Sequence, residues 1–221
     1  MADVSVSQLA SMIDASIAGR PAATLGEMEA FFQSLTPYRL AAVMVEPRYV
    51  RSAVEYFHPR KQNVVTVISY PLGAMTTEAK LIQMAEALSD GVDELDLAMD
   101  LSAFRSGDFA KVADELRAAR IMAGDHLLKI IYYSAILSED DSLRAAELIV
   151  NAGVTFLKTN PGYGNVTTPA HVRAVKQRFG DALRVMASGG VRTHQDAVAM
   201  IEAGADRIAT SSPFAVLGVE S

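Results

Sequence analysis

Residues 183–212 read LRVMASGGVRTHQDAVAMIEAGADRIATSS. A short apolar run, Leu183 to Ser188, breaks at Gly189-Gly190. A stretch with apolar residues at helical spacing, THQDAVAMIEAGA (193–205), follows and ends at Gly204, where a left-handed helix stop belongs. A second short run, DRIAT (206–210), then leads to Ser211 and Ser212. The order is strand, glycine turn, helix, strand. Such a helical crossover is the usual connection between parallel strands.

The same unit recurs on the N-terminal side. Candidate strands are LAAVMV (Leu40 to Val45), NVVTVIS (Asn63 to Ser69), DELDLAM (Asp93 to Met99), LLKIIYY (Leu127 to Tyr133) and VTFLKT (Val154 to Thr159), with a weaker one near Ala10 to Ala15. Several are apolar at consecutive positions, as expected of parallel strands covered on both faces. Between them lie helical stretches over 76–90, 109–124 and 138–153. Thr76 or Thr77 offers an N-cap hydroxyl, and Ser138 precedes three acids suited to a helix start. Gly91, Gly124 and Gly153 mark further helix ends. Eight such strands in 221 residues predict an α/β fold, a (β/α)8 TIM barrel forming a single domain over residues 1–221. An open doubly wound sheet is the competing arrangement. The even spacing and the lack of a GxGxxG after the first strand favour closure.

Half of the residues are hydrophobic, enough for one well-buried domain. The net charge of −6 and the scattering of the 20 Lys and Arg argue against a nucleic-acid partner. No stretch approaches the ~20 apolar residues of a membrane span, so no membrane partner is expected. The start, MADVSVSQLA, lacks the marks of a secretion signal, and there is no cysteine. The expectation is a soluble cytoplasmic protein.

In a barrel of this kind chemistry sits at the carboxyl ends of the strands, and the loops after strands seven and eight often hold phosphate. Here those loops are SGGVR (188–192) and SSP (211–213). Gly189 and Gly190 let backbone amides approach an anion, Ser188, Ser211 and Ser212 offer hydroxyls, and the helices that follow favour negative charge at their starts. Alternatively, the glycines only make a tight turn. Lys158 lies within the apolar run VTFLKT, sharing a strand face with Phe156 and not Leu157. A lysine facing the interior loses solvation, which favours its neutral, nucleophilic form; the alternative is a lysine that reaches out of the mouth or pairs with a carboxylate. Asp96, Ala98 and Asp100 share one face of DELDLAMD, while Asp93 and Glu94 at the strand start suit solvated or capping roles. Asp14 follows an apolar run. A carboxylate near the lysine can relay a proton, although a strand aspartate can also serve only structure. The four histidines show no ligand spacing, and no metal or other cofactor is expected.

YPLGAMTTEAK (70–80), GVDELDLAMDLSAFRSGD (91–108), FLKTNPGYG (156–164) and ASGGVRTHQDAVAMIEAGADRIATSS (187–212) together resemble the deoxyribose-phosphate aldolase family, in register from about Asp14 to Ser212. The resemblance implies a metal-free (β/α)8 barrel that reversibly joins acetaldehyde to glyceraldehyde 3-phosphate through a lysine Schiff base. It makes Lys158 that lysine and Asp96 a proton relay through water. It makes Asp14 and Ser16 residues that order the water. It places Gly162, Ser188, Gly189, Gly190, Ser211 and Ser212 against the phosphorylated substrate. It also implies a homodimer.

The departures surround the carbonyl position. The family usually has a second lysine where this chain has Met186, and methionine cannot supply like-charge repulsion. Lys-Thr-Ser-Thr becomes Lys158-Thr159-Asn160-Pro161, Cys-Val-Asn-Pro becomes Met44-Val45-Glu46-Pro47, the usual glutamate after the fifth run is Tyr133, and Ala209 replaces a glycine. The tyrosine-ended tail of some members does not follow Ser221; Tyr132, Tyr133 or Tyr163 are candidates for a replacement donor. Two other readings therefore stand beside the aldolase: a Schiff-base lyase for a different phosphorylated carbonyl compound, and a sugar-phosphate-binding barrel without turnover.

Overall fold

The computed structural model describes residues 5–19 and 23–220. Among them are ten α-helices and eight strands: α1 (Val6–Ala10), β1 (Ile13–Ser16), α2 (Leu25–Leu35), β2 (Ala42–Val45), α3 (Val50–Phe57), β3 (Val64–Ile68), α4 (Thr77–Ser89), β4 (Glu94–Ala98), α5 (Leu101–Arg105), α6 (Phe109–Ala123), β5 (Leu127–Ile131), α7 (Glu139–Asn151), β6 (Phe156–Lys158), α8 (Pro169–Phe179), β7 (Arg184–Ser188), α9 (His194–Glu202), β8 (Arg207–Thr210) and α10 (Pro213–Leu217). The strands form a closed, all-parallel barrel in chain order, with β8 paired to β1. Each strand runs within the expected stretch, except that the first begins later. Leu9 and Ala10 end α1, which Ser5 and Gln8 start with a reciprocal capping box, so the strand opens only at Ile13. Thr76 is the cap of α4, accepting the Ala79 amide, and Ser138 caps α7 before Glu139, Asp140 and Asp141. Among the described residues no helix is long and apolar enough to cross a membrane.

Period-two alternation divides the apolar residues into two populations. Val43, Val45, Leu95, Leu97, Leu128, Ile130, Leu157, Val185 and Ile208 face outward and join the helices in one continuous core. Fully burying each such side chain is worth ~1.5–3 kcal/mol, and this layer carries most of the fold. The interior is different. It holds three small apolar clusters: Ala42, Met44, Val65 and Val67; Ala98, Ile131 and Tyr133; Phe156, Met186 and Ala209. Buried charged side chains occupy the space between them. The register of the strands sets this arrangement, with Asp96 opposite Lys129, Lys158 opposite Met186, and Met186 opposite Arg207.

Candidate active site

Strand β6 places Leu157 in the outer core and Phe156 and Lys158 inside. The Lys158 side chain is 2% exposed. Its Nζ lies 2.8 Å from Asp96 Oδ2 and 3.4 Å from Met44 Sδ. The other oxygen of Asp96 is 2.8 Å from Lys129 Nζ. Lys129 continues the network to Glu94 Oε2 at 2.7 Å and Asp14 Oδ2 at 3.4 Å. Arg207 holds Glu94 through both guanidinium nitrogens, at 2.6 and 3.0 Å, and stands 3.4 Å from Asp14. Three carboxylates thus meet three cations in a space without apolar filling. Charges survive burial only with partners of this kind.

The three carboxylates are not equivalent. Burial pushes Asp96 upward, but Lys129 and Lys158 outweigh it and hold the carboxyl below the usual range. Glu94 is likewise pushed up by burial and brought below its ordinary value by Lys129 and Arg207. At Asp14 burial prevails over Lys129 and Arg207, and the carboxyl is raised. Both its oxygens are buried without a hydrogen-bond partner among the described residues. Lys129 and Arg207, though desolvated, are raised by the carboxylates around them.

Above this network opens a cavity of about 410 Å³. It is lined by Ser16, Met44, Lys158 and Gly162, by Ser188 at the end of β7 with Gly189, Gly190, Val191 and Arg192 after it, and by Ser211 and Ser212 after β8. Of the residues expected at the site, Lys158, Ser16, Gly162, Ser188, Gly189, Gly190, Ser211 and Ser212 share this cavity. Asp96 lies beneath it in contact with Lys158, and Asp14 joins only through Lys129 and Arg207.

Gly189 and Gly190 have φ of 92° and 81°. A Cβ on Gly189 would collide with Asn165 O, and one on Gly190 would lie 2.9 Å from Val166 Cγ1. The glycines are therefore required by the loop after β6, which folds against them, as well as leaving the wall bare toward the cavity. The helix starts behave differently from expectation. Helix α9 begins beyond the turn, and Asp196 already takes the amides of Arg192 and Thr193. The Ser212 amide is bonded to Thr210 Oγ1.

Other residues fall elsewhere than their sequence positions suggested. Glu94 is a buried member of the charge network, because the strand start lies deep within the closed sheet. Asp93 behaves as the strand start implies, accepting the Val64 amide at 2.7 Å. Asp100 has left the sheet; it caps α5 through the Ala103 amide and pairs with Lys111 at 2.8 Å. Tyr133 packs against Ala98 and Ile131, its hydroxyl pushed up to about 12 by burial, and neither it nor Tyr132 lines the cavity. Tyr163 does line it. The residues that sequence reasoning passed over are Lys129 and Arg207. Both carried the same signal as Lys158, a cation inside or at the edge of an apolar strand run, and only the pairing register shows what they meet.

The closed barrel recurs in solved proteins similar to this chain. Residues 6–219 match the DeoC/LacD family aldolase model. The deoxyribose-phosphate aldolase of Staphylococcus carnosus is 35% identical over 204 residues, covering 91% of this chain and 93% of that protein. That of Streptococcus equi subsp. zooepidemicus is 34% identical over 192 residues, covering 86% and 87%. Among solved structures, the aldolase QR15 superposes with a TM-score of 0.90 at 35% identity, covering 99% of this chain and 96% of that one. The tetrameric deoxyribose phosphate aldolase from Aeropyrum pernix has a TM-score of 0.90 at 27% identity, covering 97% and 91%. Fold, site and likeness define an aldolase, a carbon–carbon lyase built on a barrel. Within that class, the chain belongs to the DeoC/LacD aldolase family.

Proposed function

We propose that the chain is a class I aldolase that reversibly cleaves 2-deoxy-D-ribose 5-phosphate to glyceraldehyde 3-phosphate and acetaldehyde, with Lys158 as the Schiff-base lysine. The observation that carries this reading is the placement of Lys158 Nζ at the base of the glycine-walled cavity, 2.8 Å from Asp96. The family and its deoxyribose-phosphate aldolases favour it over a lyase for another substrate or a binder without turnover.

The neutral amine of Lys158 adds to the aldehyde carbon, and loss of water gives an iminium. That cation draws the electrons of the C2–C3 bond, one carbon beyond it, as the C3 hydroxyl gives up its proton, releasing glyceraldehyde 3-phosphate and leaving a two-carbon enamine. Protonation of the enamine and hydrolysis free acetaldehyde and restore the lysine. Asp96 is the proton acceptor and donor closest to Nζ. Asp14 and Ser16 order the water through which protons move. The wall of Ser188, Gly189, Gly190, Ser211 and Ser212, with Gly162 opposite, receives the phosphate, and Arg192 adds positive charge there. Met186 brings no cation, but Lys129 stands on the second oxygen of Asp96 and keeps a second ammonium in the site.

Incubation with acetaldehyde followed by borohydride is expected to add one ethyl group at Lys158, located by peptide mass mapping. An adduct elsewhere, or none, removes the covalent step. The same reading includes a homodimer acting in the cytoplasm, supported by the family resemblance and the lack of cysteine. Light scattering of the purified chain tests the dimer, and cell fractionation tests the location; a monomer's mass or a secreted product refutes the respective part.

A further inference from the structure

Two tyrosines lie across the mouth of the barrel. Tyr70, in the loop after β3, donates its hydroxyl to Pro161 O at 2.5 Å, in the loop after β6. Tyr163, two residues beyond Pro161, packs its ring against Tyr70 with centroids 5.7 Å apart. Its hydroxyl then reaches Gly19 O, in the loop after β1, at 3.4 Å. Strands β1, β3 and β6 are well separated around the closed sheet, so these contacts bridge the opening from three sides.

The backbone is shaped for this bridge. Gly162, Tyr163 and Gly164 have φ of 100°, 52° and 84° in succession. Glycine accepts such values freely, whereas tyrosine does so at a cost that its surroundings must offset. The φ of Gly19 is also positive, at 85°, and a Cβ there would sit 3.0 Å from Tyr163 Oη and 3.4 Å from Tyr70 Oη. From the other side the Glu46 carboxylate accepts the Gly19 amide at 2.7 Å, fixing that loop against the tyrosines.

The cavity reflects the bridge. Its lining comes from β1, β2, β6, β7, β8 and the loops after β1, β3, β6, β7 and β8, and no described residue of the loops after β4 and β5 reaches it. Tyr70 and Tyr163 line the same cavity as Lys158, Gly189 and Gly190.

We propose that Tyr163, braced by Tyr70 and Gly19, is the specificity-determining wall that limits the bulk of the aldehyde condensing at Lys158. The inference rests on Lys158 being the Schiff-base lysine. Acetaldehyde and the open-chain aldehyde of deoxyribose 5-phosphate, both unbranched at the carbon next to the carbonyl, pass Tyr163 to reach Lys158, and aromatic or branched aldehydes are held back.

The test compares borohydride trapping of acetaldehyde and of phenylacetaldehyde in the native chain, Tyr163→Ala, Tyr163→Leu and Tyr163→Phe. The phenylacetaldehyde-to-acetaldehyde ratio of adduct formation should rise about tenfold or more in Tyr163→Ala, the scale of a pocket enlarged by more than a methylene. It should rise less in Tyr163→Leu and stay near native in Tyr163→Phe, which keeps the ring. A purely structural role would slow both aldehydes together and leave the ratio unchanged. An unchanged ratio in Tyr163→Ala and Tyr163→Leu, or an equal rise in Tyr163→Phe, overturns the wall while the acetaldehyde adduct still upholds Lys158. Absence of any adduct in the native chain fails the parent reading and the wall with it.

Discussion

With Lys158 replaced by methionine, cleavage of deoxyribose 5-phosphate is expected to fall on the order of 10⁵-fold or more, the scale on which a covalent nucleophile is lost. The trapped adduct is expected to disappear with it. Methionine has nearly the same length and fits beside Phe156 and Met44, so the cavity should persist. Asp96 keeps Lys129 on its other oxygen at 2.8 Å, which limits the damage to folding. Lys158→Arg retains the cation for Asp96 but has no amine able to form an iminium, and should be equally inactive. The pair separates chemistry from electrostatics. Activity within tenfold of native in either variant, measured at saturating substrate, would remove Lys158 from the centre of the mechanism.

The parts of this site written along single strands were legible from sequence. Lys158 stands out because a lysine inside an apolar run is costly, and the period-two rule put it on the face of Phe156 and not of Leu157, as the two cores show. Gly189-Gly190 and Ser211-Ser212 follow strands seven and eight, whose positions in a barrel are known as soon as the strands are counted. What escaped is what register decides. Lys129 meets Asp96 only because β4 and β5 align those residues, and Arg207 reaches Glu94 across the interior from a strand more than a hundred positions away. Glu94 looked like a solvated strand start because a linear reading places strand ends at the surface; in a closed sheet the same position is deep. Asp100 looked inward because the alternation was carried past the point where the chain turns to become a helix cap. Of the two explanations for the glycine pair, the structure shows the conformational one, since the β6 loop would collide with a Cβ there.

Lys129→Met should show the largest effect on stability, and one that depends on pH. Lys129 is fully buried and touches three carboxylates, at 2.7, 2.8 and 3.4 Å. Removing one partner from a buried ionic cluster costs about 3–5 kcal/mol, because the remaining charges stay desolvated. The sign of the pH effect follows from Asp96 and Glu94. In the native chain both are held below their ordinary values, so they stabilise the fold above the unfolded carboxylate range near pH ~4 and lose that contribution as pH falls through their folded values. Burial is the largest influence on each and acts upward. Without Lys129 it should prevail, as it already does at Asp14. Carboxyls raised in the folded state bind protons that the unfolded chain has released, so stability then declines as pH rises above ~4. The deficit of the variant relative to native should therefore be greatest near pH 8 and shrink toward pH 5. Urea midpoints at the two pH values measure it. A deficit equal at both would mean that Lys129 acts by packing alone, and a variant as stable as native at pH 8 would mean that the three carboxylates do not need its charge.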